Sequence, residues 1–148
     1  MEQGIAYVQE RLAEIAVTGA LHIRAAQADA SGVSLTLPLA PNTNDKGTAF
    51  AGSLYSVAVL AGWACLDLLL AAQGLRASIV AHETTVRYLA PVTADVTARA
   101  GAPAGADFAR VLKALQRARP ARVAVSVSVL QHETVAVEFI GQYALLPA

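Results

Sequence analysis

The chain has 148 residues, no formal net charge, and 55% hydrophobic against 15% charged side chains. That length suits one domain, residues 1–148, able to bury about 70% of its unfolded surface, and the composition excludes disorder. Neutrality leaves no field to draw the chain to nucleic acid or an anionic membrane, and a lone cysteine, Cys65, excludes an internal disulfide, as expected of a reducing, cytoplasmic setting.

The N-terminus carries acids and no apolar core run, so it is not read as a secretory signal. Ile5, Val8, Leu12 and Ile15 recur every three or four residues, which predicts an amphipathic helix. Residues 19–28 read as a weak strand, followed by a turn at Asp29-Ala30-Ser31-Gly32. Val33, Leu35, Leu37 and Leu39 alternate with smaller or polar residues as a half-buried strand. A polar loop, Ala40 to Thr48, leads to a long apolar helix from about Gly52 to Gln73.

Strands are predicted over 78–89 and 92–100, then a loop, then a short helix over 107–119. Its apolar face is Phe108, Val111, Leu112 and Leu115, and Arg110, Lys113 and Arg117 lie opposite. Alternating valines from Val123 to Val129 and a returning strand from Val135 to Leu145 flank a tip at Gln131-His132-Glu133. Six strands with one helix apolar on every side imply an α+β domain, a curved antiparallel sheet wrapped round that helix. The alternative is a membrane-spanning helix over 49–72, which has the length. Asp67 within the run and the absence of a flanking basic cluster oppose it.

The chemistry is expected where the polar loop meets the long helix. A helix start leaves backbone N–H groups unpaired and carries partial positive charge. Aimed at a carbonyl under attack, they stabilise the oxyanion. Gly47 and Gly52 would let the backbone come close to a ligand.

The segment Asn42-Thr43-Asn44-Asp45-Lys46-Gly47-Thr48-Ala49-Phe50-Ala51-Gly52-Ser53, with Arg87-Tyr88-Leu89-Ala90-Pro91-Val92 further on, resembles the hot-dog-fold thioesterase superfamily. The match is to the domain at the C-terminus of the bacterial protein YiiD. The resemblance spans essentially the whole chain. It implies a hot-dog fold, a homodimer or tetramer with ligand sites between subunits, and an acyl thioester of coenzyme A or a carrier protein as substrate. Coenzyme A would enter only as part of the substrate; no cofactor or metal is expected. The resemblance also has departures. Where related thioesterases begin the helix with His-Gly-Gly, this chain has Phe50-Ala51-Gly52, and no acid lies between Ser53 and Leu66. The His–acid pair of hot-dog dehydratases has no counterpart here.

Asn44 and Asp45 are therefore candidates to hold or activate water, and Glu83 is a reserve base, alone or across a dimer interface. The bland readings are turn and capping roles for Asn44 and Asp45, and a Glu83–Arg87 pair on an outer face. Asn42, Gly47, Thr48, Phe50, Gly52, Ser53, Tyr55, Arg87 and Tyr88 are candidates for substrate binding, with an apolar tunnel expected beside Tyr55. Thr48 and Ser53 could instead cap the helix. His82 is expected to face the core, and Trp63 to pack on the sheet. Cys65, among apolar residues, is expected to be inert. The three histidines lack metal-ligand spacing, and the basic face of the second helix is too small for nucleic acid. Three activities fit: thioester hydrolysis, acyl-thioester binding without turnover, and hydration or dehydration of acyl thioesters.

Overall fold

A computed structural model describes every residue, Met1–Ala148. Helices α1 (Glu2–Ala13) and α2 (Ala16–Ala20) precede β1 (Arg24–Asp29) and β2 (Gly32–Leu37). A 3-10 turn at Ala40–Asn42 leads to α3 (Ala51–Ala72). Then follow β3 (Ala77–Tyr88), β4 (Val96–Gly101), α4 (Gly105–Gln116), β5 (Ala121–Gln131) and β6 (Thr134–Pro147). All pairings are antiparallel, in the order β1-β2-β4-β5-β6-β3, so β1 and β3 are the edges.

Period-two alternation fixes the inner face of the sheet. Val123, Val125, Val127 and Val129 of β5 are buried, as are Val137, Phe139, Tyr143 and Leu145 of β6. The curved sheet closes on α3, whose Val57, Ala58, Ala61, Ala64 and Leu66 are at most 1% exposed. By length and composition α3 could cross a bilayer; here it is the core helix, because the sheet buries its apolar surface. The close fit is visible at Gly62. A β-carbon there would stand 2.3 Å from the Tyr143 hydroxyl, which donates to the Val59 carbonyl at 2.7 Å.

Asp67 is the one charged side chain of α3. It accepts from the Tyr7 hydroxyl at 2.8 Å and from Arg11 Nε at 2.9 Å. The Arg11 guanidinium also lies 5.4 Å from the centre of the Trp63 ring. So α1 is held on the core by buried Val8 and Leu12 and on α3 by this polar cluster. Trp63 thus meets α1 where the sheet had been expected.

Two expected strands are shorter than their patterns. Residues 16–20 are helical because the buried Thr18 hydroxyl donates back to the Leu12 and Ile15 carbonyls at 2.7 and 2.8 Å. The strand after Pro91 begins only at Val96, because the preceding backbone is used elsewhere. The Val92 carbonyl accepts from Ala49 N, and Thr93 N donates to the Gln131 side chain at 2.6 Å.

Cys65 is fully buried, and that burial pushes its thiol up to about 11 from an ordinary 9. The unfolded thiol ionises first, so the folded state holds the proton longer and stability falls as pH rises from about 9 to 11. The expected loss is at most about 1.4 kcal/mol per pH unit. Denaturant midpoints at pH 8, 9 and 10 should show this slope, and Cys65→Ala should flatten it below pH 10.

Candidate functional site

Asn44 shapes the loop that enters α3. Its Oδ1 accepts from the amides of Lys46 and Thr48 at 2.8 and 3.1 Å, and its Nδ2 donates to Thr48 Oγ1 at 2.8 Å. Gly47, at φ +77°, makes the return that closes this turn. Asn42 is 2% exposed. Its Nδ2 donates to the Leu21 and Pro38 carbonyls at 2.9 and 2.8 Å, and its backbone carbonyl accepts from Phe50 N at 2.7 Å. One residue, through its side-chain NH2 and its backbone carbonyl, thus ties the α2–β1 turn, the end of β2 and the start of α3 together. Asn42→Ala should lower stability by about 2 kcal/mol by orphaning two carbonyls, read as a shifted denaturant midpoint with unchanged slope.

The N-cap of α3 is Phe50, which is extended and offers no side-chain cap. Its carbonyl takes the amides of Ser53 and Leu54 at 3.0 and 3.1 Å. The amides of Ala51 and Gly52 are left without an acceptor in the chain. Thr48 and Ser53, expected as alternative caps, do not cap: the Thr48 hydroxyl accepts from Asn44, and buried Ser53 contributes its backbone N–H.

Beside these amides lies a cleft of about 310 Å³. Its floor is Ala49, Leu54 and Val92, all buried. Its rim is Tyr88 to Pro91, with Ala51 at one side and Asn44 and Thr48 as its polar wall. The Tyr88 hydroxyl donates to the Ala51 carbonyl at 3.1 Å and fixes the end of β3 on the start of α3. Burial, chiefly, raises the Tyr88 phenol above its ordinary value. Phe50, 55% exposed, and Leu89, 45% exposed, extend apolar surface beyond the cleft.

Of the residues expected from sequence, Asn44, Thr48 and Tyr88 line this cleft. Gly52 and Phe50 do not line it but flank Ala51, which does, and a β-carbon on Gly52 would sit 2.4 Å from the Phe50 ring. Asn42, Gly47 and Ser53 build the loop and helix start around it. Asp45 is outside, exposed and paired with Lys46 Nζ at 2.9 Å. Tyr55 is behind the cleft, with its hydroxyl 3.1 Å from Thr84 Oγ1 and its ring edge-on to Phe139 at 5.9 Å. The tunnel expected beside Tyr55 is replaced by this packing.

Glu83 and Arg87 lie on the exposed outer face, but they do not pair. Arg87 Nη1 is 3.5 Å from Glu138, its cross-strand neighbour on β6. A bulge between Ala81 and Glu83 leaves His82 without a partner on β6 and exposed, where a core-facing histidine had been expected. The bulge also changes strand parity, which strict alternation could not foresee. No carboxylate or imidazole of the chain lines the cleft. The sequence reading missed the free Ala51 amide and the floor residues Ala49 and Leu54. The only signal for them was their place within and just past the motif.

A sheet curled round one helix, with the helix start open to an apolar cleft, defines a hot-dog domain of the thioesterase class. The chain belongs to the family described as "Putative thioesterase (yiiD_Cterm)", whose profile matches residues 5–147. Among solved structures, it is similar to a putative thioesterase from Shewanella oneidensis. The two are 29% identical, with TM-score 0.91, over 99% of this chain and 100% of that one. A protein of unknown function from Chlorobaculum tepidum matches at 29% identity and TM-score 0.91, over 99% and 96%. The PaaI protein of the E. coli phenylacetic acid degradation operon, at 18% identity and TM-score 0.70 over 99% and 96%, shares the fold.

Proposed function

We propose that the chain hydrolyses acyl thioesters of coenzyme A or an acyl carrier protein. The observation that carries this reading is the pair of free amides, Ala51 and Gly52, at the head of a 22-residue helix, with Ala51 lining an apolar cleft. A thioester carbonyl placed there would receive two N–H donors and the positive end of the helix dipole as negative charge forms on its oxygen. The acyl group would lie against Leu54, Ala49 and Val92. Water attacks the carbonyl carbon, the carbon–sulfur bond breaks, and the thiolate leaves with the proton that the water gave up.

Asn44 is not a base. Its two side-chain atoms are committed to the loop, so its role is to hold the Thr48 hydroxyl and the amides in place. The water must be deprotonated by a group from outside the cleft. We assign this to a second copy paired through β3. That strand is an unpaired edge twelve residues long, and an open edge seeks a partner. It carries exposed His82 and Glu83 at its middle. A homodimer through β3 would place His82, which the bulge leaves without a partner on β6, at the seam between the two copies.

Incubating the purified protein with a panel of acyl-CoA thioesters and recording free thiol tests the reading. Release above the uncatalysed rate is expected, and none across all chain lengths would overturn it. Sedimentation should give a dimer or a multiple of one. The second reading, a binding module without turnover, is favoured by the absence of any acid or histidine in the cleft. Its signature is thermal stabilisation by acyl-CoA with no thiol release.

A further inference from the structure

We infer that Leu54 sets the length of acyl group the cleft accepts, and that the substrates are thioesters of short acyl groups, only a few carbons long. This rests on the thioester reading above and adds the substrate class. The cleft, about 310 Å³, is at the small end of the roughly 300–1,000 Å³ typical of ligand pockets. It must also admit the thioester itself and the start of the carrier arm.

Its depth is fixed by the helix. Leu54 lies three residues past Ala51, so the floor is only about 4.5 Å along the axis from the first free amide. Leu54 and Val92 are 4% and 1% exposed and belong to the hydrophobic core, so the floor does not give way without repacking. Sideways passage between α3 and β3 is closed as well. The Tyr55 hydroxyl is tied to Thr84 at 3.1 Å, and the Tyr55 ring is wedged against Phe139. On the other side, the Tyr88 hydroxyl is bound to the Ala51 carbonyl. A methylene beyond the floor must displace core side chains or turn out over the rim, where half-exposed Leu89 and Phe50 leave it largely in water.

The test is a series of straight-chain acyl-CoA thioesters from acetyl to palmitoyl, read two ways. Thiol release gives kcat/KM, and the rise in melting temperature gives binding whether or not the bond is cleaved. For the wild-type chain both should peak at a few carbons, with kcat/KM then falling about tenfold or more for the first methylenes past the limit. Leu54→Ala should move both optima to longer chains. Because removing a core leucine lowers stability, a second variant acts from the rim. Ala90→Leu fills the cleft from an exposed position and should cost the longest accepted chains most, moving the optimum shorter. Equal wild-type response to short and long chains, or a wild-type length profile in both variants, overturns the inference. Absence of thiol release with a sharp length limit in melting temperature would sink the hydrolase reading and leave the length limit standing.

Discussion

Ala51→Pro is expected to lower kcat by about two to three orders of magnitude, the usual loss when one oxyanion donor is removed, while the fold stays intact. Ala51 is the first residue of α3, and its N–H serves no bond within the chain. Proline suits that position because its missing N–H is one that the helix does not use and its ring presets a helical φ. The preceding residue must be extended, and Phe50 already is, at φ −64° and ψ 132°. The Ala51 carbonyl also keeps its bond from Tyr88. The substitution therefore deletes one donor with little else changed. If the amide stabilises the oxyanion, kcat and kcat/KM should fall together with KM held. A rise in KM alone would mean that the ring merely crowds the cleft. Unchanged kcat would remove Ala51 from the catalytic account. Gly52 offers no such clean change, because any β-carbon there meets the Phe50 ring.

Local pattern was enough for the elements that bury one face or all faces. The valine alternation of β5 and the unbroken apolar run of α3 each leave one packing solution, and those two fix a sheet wrapped round a helix. The loop motif was legible as a site because two asparagines and two glycines clustered at a helix entry have few uses. Which atoms those asparagines would engage was not legible. Asn42 is consumed by carbonyls 21 and 4 residues away, and only the folded chain brings Leu21 near. The pairing of Glu83 with Arg87 failed for a related reason: four residues along one strand are about 13 Å apart, whereas β6 sets Glu138 directly opposite Arg87, and only the folded sheet supplies that neighbour. Asp67 was the plainest anomaly in the sequence, an acid in a helix with no other charge. Its partners, Tyr7 and Arg11, lie 60 and 56 residues earlier, on a helix whose own pattern shows only its apolar face.

Asp67→Ala is expected to cost about 3 kcal/mol. The low end of the range for breaking a buried ion pair is about 3 kcal/mol, and the Arg11 and Asp67 side chains are 22% and 11% exposed, so some solvent screening already applies. The loss comes mainly from what remains. Arg11 would sit beside Trp63 with only exposed Glu14 as a carboxylate partner, and the Tyr7 hydroxyl would lose its acceptor. For a chain of this length the melting temperature should fall by about 6–12 °C. The damage should be local. Amides of α1 should exchange sooner with solvent, whereas β5 and the core of α3 keep their protection up to the global limit. Replacing both partners, Arg11→Met with Asp67→Leu, leaves no orphaned charge and should recover most of the loss. A single Asp67→Ala variant as stable as the wild type would mean that Val8 and Leu12 alone hold α1 in place. A double variant no better than the single would mean that the polar cluster itself, and not the cost of stranding Arg11, holds α1 on the one helix that the sheet encloses.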